Sequence, residues 1–206
     1  MKTRFQIAGL ATILASSTFP AQDSKHASVP ACCRSTFVHT SPLPGRSLYQ
    51  AESTWTNDAG KTLRLADLRG RPQILVMFFA QCAYACPILV QDARQIESAL
   101  PENIRARVGF TLVSFDTERD TPEVLAKYRA RHELGPGRWT LLCGKPDNVQ
   151  ELAALLGVKF KKDAGGQFSH SNIITLLNSD GEIIRQQVGL SQGRDEMLKA
   201  IEQLKE

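Results

Sequence analysis

Residues 74–79 are six consecutive apolar side chains, and they run straight into Ala80-Gln81-Cys82-Ala83-Tyr84-Ala85-Cys86-Pro87. A run this short cannot span a bilayer, which takes about 20 residues. It reads as a strand buried on both faces, as the central strands of a parallel sheet are. From about Pro87 the apolar period changes, and Leu89, Ala93, Ile96 and Leu100 fall on one helical stripe. The chain must therefore turn from a buried strand into a helix at the two cysteines. A second buried strand is expected at residues 108–115, and alternation of this kind predicts an α/β fold with parallel pairing.

The rest of the chain fits the same class. An N-terminal hairpin should turn at Asn57-Asp58-Ala59-Gly60, between Trp55 and Leu63. Thr121-Pro122 is a hydroxyl cap followed by proline at a helix start, and His132 should cap that helix at its other end. A short strand is expected at 139–142 and a helix at 148–156, ending at Gly157. Strands at 173–177 and 183–188 should form a hairpin around Ser179-Asp180-Gly181. The last helix should run from Ser191, with Met197, Ile201 and Leu204 on one face. The outcome is a mixed central sheet flanked by helices, in an order that suits a thioredoxin-like fold with an N-terminal β-hairpin extension.

Residues 1–21 read as a cleaved signal peptide, with an uncleaved anchor as the alternative. Lys2 and Arg4 precede an apolar stretch at 7–14, and small residues follow at Ala15, Ser16, Ser17 and Ala21. Residues 22–46 carry Pro30, Pro42, Pro44 and Gly45 without an apolar period and read as a linker. The domain should occupy 47–206, outside the cytoplasm and in a periplasm, peripheral to a membrane at most. The net charge of +4 includes no long Lys/Arg run, which argues against nucleic acid as a partner. Five cysteines are an odd count that leaves at least one thiol free or paired between chains, and they do not read as a disulfide framework of the small secreted kind.

Cysteine chemistry is instead local. A strand-to-helix turn places both thiols by the positive end of a helix, which favours thiolate. Two thiols there can form a disulfide or clamp one soft metal ion. Oxidoreductases of the thioredoxin type separate their cysteines by two residues, and this chain has three. They also place a proline just before a late strand beside the active site. Here Phe168-Ser169-His170-Ser171 occupies that loop, so an imidazole stands in the proline's place. Two thiolates and an imidazole form a good copper ligand set. A peroxidase needs a threonine and a proline ahead of its reactive cysteine, and residues 75–86 have neither.

Three segments together carry a family resemblance: Cys82-Ala83-Tyr84-Ala85-Cys86-Pro87, then Ser114-Phe115-Asp116-Thr117-Glu118-Arg119-Asp120-Thr121-Pro122, then Phe168-Ser169-His170-Ser171. In these the chain resembles the Sco/SenC family of copper chaperones, over about residues 47–190. The resemblance implies a thioredoxin fold and one copper ion, copper(I) or copper(II), held by Cys82, Cys86 and His170. It implies maturation of the dinuclear copper centre of cytochrome c oxidase, or of a related periplasmic cuproprotein, with the apo-protein as partner. Asp116, at the end of a buried strand, either lies near the site or only terminates the strand. Asp120-Thr121-Pro122 reads as helix capping. The alternative function is a thiol-disulfide reductase that keeps a client's copper-ligand cysteines reduced. Cys82 would then attack, Cys86 would resolve, and a thiol reductant would be needed as a second partner.

The chain departs from the family in its short Gly165-Gly166 loop and in Cys32-Cys33, which His26 and His39 flank in the linker. That linker group is either a second copper-capturing site or a source of incidental disulfides. Cys143 is expected to be a buried core thiol.

Overall fold

The computed structural model describes residues 42–204. The expected signal peptide, Cys32, Cys33, His26 and His39 lie outside the described residues. The elements in order are β1 (Thr54–Asn57), β2 (Thr62–Arg64), β3 (Gln73–Phe78), α1 (Ala85–Ala99), α2 (Glu102–Arg105), β4 (Gly109–Ser114), α3 (Pro122–Arg131), β5 (Trp139–Gly144), α4 (Pro146–Leu156), β6 (Phe160–Lys162), β7 (Phe168–His170), β8 (Ile173–Leu177), β9 (Ile183–Val188) and α5 (Arg194–Glu202). Seven strands form one sheet in the order β2-β1-β5-β4-β3-β8-β9. The three central strands β3, β4 and β5 are parallel, and β1, β8 and β9 attach antiparallel. This is the thioredoxin-like α/β arrangement, with the N-terminal hairpin adding two strands at one edge.

The apolar runs explain the centre of the sheet. Every residue of β3, β4 and β8 is buried, because helices cover both faces there. Leu89, Ala93 and Ile96 of α1 pack into the same core as Phe78, Leu112 and Ile174. The hairpin turn forms as its residues dictate: Asn57 Oδ1 accepts the Ala59 and Lys61 N–H groups, and Gly60 adopts φ +77°. Ser47 caps a short 3-10 turn by accepting the Tyr49 N–H, and Leu48 N–H bonds to the Gly181 carbonyl. The start of the domain is thereby tied to the β8–β9 turn. Thr121 Oγ1 accepts the Val124 N–H and caps α3, and His132 is its C-terminal cap.

Four features differ from the sequence expectation. Helix α1 begins at Ala85, so Cys86 already lies in its first turn and Cys82 precedes it. Helix α5 begins at Arg194 rather than Ser191, because Ser191 and Gly193 take positive φ angles of 55° and 69° that no helix continues through. Strands β6 and β7 form a separate two-stranded hairpin where a loop was expected, so His170 ends a strand. Cys143 is half-buried, not a core thiol: β5 brings it beside β1, where its Sγ–H donates to the Thr56 carbonyl at 3.5 Å. Among the described residues no helix is long and apolar enough to cross a membrane.

Candidate metal centre

Strand β3 ends at Phe78 and α1 starts at Ala85, so a tight turn carries the first cysteine. Cys82 N–H closes that turn onto the Phe79 carbonyl at 3.2 Å. The Cys86 N–H, an orphan donor of the first helical turn, points at Cys82 Sγ at 3.3 Å. Pro87 sits in that same first turn, where its missing N–H costs little. The local sequence thus bends the chain so that one cysteine side chain receives a helix N-terminal amide. Cys82 is half-buried and Cys86 is fully buried. Burial pushes the Cys86 thiol well above its ordinary pKa, so this proton must leave before the sulfur can ligate a cation.

The imidazole arrives from the β6–β7 hairpin, where His170 pairs with Phe160 across the ladder. Its Nδ1–H donates to the Ser171 carbonyl at 3.1 Å, which leaves the Nε2 lone pair free to bind. Nε2 lies 3.4 Å from Cys86 Sγ. One donor atom each from Cys82, Cys86 and His170 lies within 4.8 Å of the other two. Ligands at about 2.0–2.3 Å from a metal ion stand roughly 3.5–4 Å from one another, so the three donors need only a small inward adjustment to share one ion. Soft sulfur and borderline nitrogen suit copper or zinc and are a poor match for calcium or magnesium.

An aromatic cluster holds the hairpin on the sheet. Phe115 lies 5.1 Å from Phe160, 5.1 Å from Phe168 and 5.2 Å from His170, centroid to centroid, and Phe79 lies 5.4 Å from Phe115. Phe79 and Phe115 directly follow β3 and β4, so the sheet itself supplies the platform on which the imidazole rests. Asp116 is buried and does not join the donor set. It binds Arg119, whose other arm donates to the Gly166 carbonyl in the hairpin turn at 2.6 Å. Arg119 thus links it to the hairpin.

Asp120 departs from its capping assignment. Thr121 does the capping, while the Asp120 carboxylate turns inward to accept the Ala80 N–H at 2.8 Å and the Ser114 hydroxyl at 2.5 Å. Sequence reasoning missed it because an aspartate just before a threonine cap looks like part of the cap. The only available signal was its place four residues beyond a strand-ending aspartate. A shallow surface groove is lined by Lys159, Phe160, Lys161, Ser169, His170 and Ser171.

The SCO1/SenC family profile matches residues 43–206. The chain belongs to the SCO1/SenC family. A SCO1 protein homolog of Bacillus subtilis strain 168 is 29% identical over 147 residues, 69% of this chain and 75% of that protein. Among solved structures, a SCO1/SenC family lipoprotein from Bacillus anthracis superposes with a TM-score of 0.68 at 21% identity, covering 74% of this chain and 92% of that one. Arabidopsis thaliana ScoI with copper bound gives a TM-score of 0.65 at 23% identity, covering 73% and 96%. At these identities the structures speak to the fold, and the fold of this family member is theirs.

Proposed function

We propose that the chain is an exported copper chaperone that binds one copper ion through Cys82, Cys86 and His170. Its client would be an apo-cuproprotein, with the dinuclear copper centre of cytochrome c oxidase as the first candidate. The observation that carries this reading is the convergence of two sulfurs and one imidazole nitrogen within 4.8 Å, in a chain of the SCO1/SenC family. A structure of Arabidopsis thaliana ScoI is described as having copper bound. The partial exposure of two of the three donors suits transfer. Cys82 and His170 are half-buried rather than sealed, so a client's thiolates can enter the coordination shell and exchange ligands stepwise. The test is copper stoichiometry on the reduced protein. Wild type should hold one equivalent against a competing chelator, and Cys82→Ala or Cys86→Ala should hold none. Full retention in either variant would refute the ligand assignment.

The asymmetry of the two cysteines supports a second reading, thiol-disulfide reduction. The half-buried Cys82 thiolate would attack a client disulfide, releasing one client thiolate and forming a mixed disulfide. Cys86 would then attack the Cys82 sulfur, releasing the second client thiol and leaving a Cys82–Cys86 disulfide. A thiol reductant must supply the two electrons that reset it. Reductase activity that survives His170→Ala would favour this reading, because the exchange needs the two sulfurs and no metal ligation by the imidazole.

A further inference from the structure

Asp120 is 3% exposed and lies outside the donor set. Its Oδ2 takes both hydrogen bonds, from the Ala80 N–H and from the Ser114 hydroxyl, and its Oδ1 is buried with no partner among the described residues. Burying a carboxylate with one oxygen unsatisfied is costly. Helix α3 does not require it, since the neighbouring Thr121 supplies the cap. Burial raises the Asp120 carboxyl above its ordinary pKa, and its charge is felt at Cys86.

The recipient of the bond explains its position. Ala80 is where the chain has left β3 and has not yet reached α1. Its N–H has neither a strand nor a helix partner of its own. Two residues on, Cys82 bonds its N–H to the Phe79 carbonyl, receives the Cys86 amide at its sulfur and packs partly against the core. Ser114, at the end of β4, closes the set by donating to Asp120 while accepting the Asp116 N–H at 3.0 Å. The carboxylate thus ties the cysteine turn to β4 and to the entrance of α3.

We propose that Asp120 is a positioning residue of the metal centre: by holding the Ala80 N–H it fixes the turn that sets Cys82 Sγ against Cys86 and His170. The copper readout of this inference rests on the chaperone reading above, and its thiol readout does not. The first measurement is the rate of Cys82 alkylation by iodoacetamide in the metal-free, reduced full-length protein, located by peptide mass spectrometry. The second is the thiolate-to-copper(II) charge-transfer band. Asp120→Ala should change the alkylation rate roughly fivefold, the equivalent of one lost hydrogen bond, and should shift the band. Asp120→Asn keeps an oxygen acceptor for Ala80 and should restore both to within about twofold of wild type. Thr121→Ala, which loses only the cap, should match wild type in both. If circular dichroism shows that Asp120→Ala is unfolded, Ser114→Ala is read instead and should differ measurably from wild type in both, by less than about fivefold in alkylation rate. Wild-type alkylation and band in Asp120→Ala, or in Ser114→Ala where that protein is read instead, would overturn the proposal, and so would an Asp120→Asn protein as altered as Asp120→Ala. A wild-type protein that takes up no copper would sink the chaperone reading alone, since alkylation still decides the role of Asp120.

Discussion

Arg119 binds Asp116, a carboxylate only 1% exposed, and with its other arm holds the Gly166 carbonyl of the hairpin that carries His170. Its guanidinium also lies 5.9 Å from the centre of the Phe168 ring. One side chain thus joins the end of the main sheet to the hairpin. Arg119→Ala leaves a buried carboxylate without its cation, a loss of about 3 kcal/mol. It also loosens the imidazole arm of the site. Chemical denaturation should show the lower midpoint. Copper affinity should fall by roughly tenfold, while the Cys82–Cys86 pair still oxidises at the wild-type rate. Arg119→Lys should recover part of the stability and little of the copper affinity, because an ammonium cannot span both acceptors.

Phe115 touches every other ring of the cluster that seats the hairpin, and it is 2% exposed. Phe115→Ala should cost about 3–5 kcal/mol in an unfolding titration. Phe115→Leu keeps most of the volume and should cost about 1.5 kcal/mol or less. Any copper(II) spectrum of the leucine variant should still differ from wild type, because the ring that fixes the His170 plane is gone.

These relationships also show what was legible in the sequence. The apolar runs of β3 and β4 and the capped start of α3 were visible, because burial on two faces and a Thr-Pro start leave local signatures. So were the three converging residues, whose types and spacing are unusual. The β6–β7 hairpin was not visible. Its strands are three residues each with a polar or exposed residue in the middle, and what holds them is aromatic contact with residues 79 and 115, distant in the chain. The inward turn of Asp120 was hidden for the same reason: its partners, Ala80 and Ser114, belong to other elements. Cys143 looked like a core residue because β5 is apolar around it, yet it lies near the end of that strand, where burial gives way to partial exposure.

His132 gives a pH dependence that owes nothing to the metal centre. Its ring stacks on Tyr128 at 4.1 Å. Burial, and then the positive charges of Arg131 and Arg94, lower its pKa below the ordinary value of 6.5. The folded state therefore favours the neutral ring, and below pH 6.5 the unfolded chain binds more protons. Stability must fall as pH drops through that value. Thermal unfolding between pH 7.5 and 5.5 should show a steeper decline for wild type than for His132→Gln. Parallel curves would show that this histidine contributes no linkage.

The central claim is that the imidazole shares one copper ion with the two sulfurs. It is tested most directly by the copper stoichiometry and absorption spectrum of the reduced protein beside those of His170→Ala. The account predicts one copper per chain and a thiolate-to-copper(II) charge-transfer band that is lost or shifted in the variant. A variant spectrum identical to wild type, or a wild-type protein that holds no copper while its Cys82–Cys86 disulfide cycles freely, would contradict it.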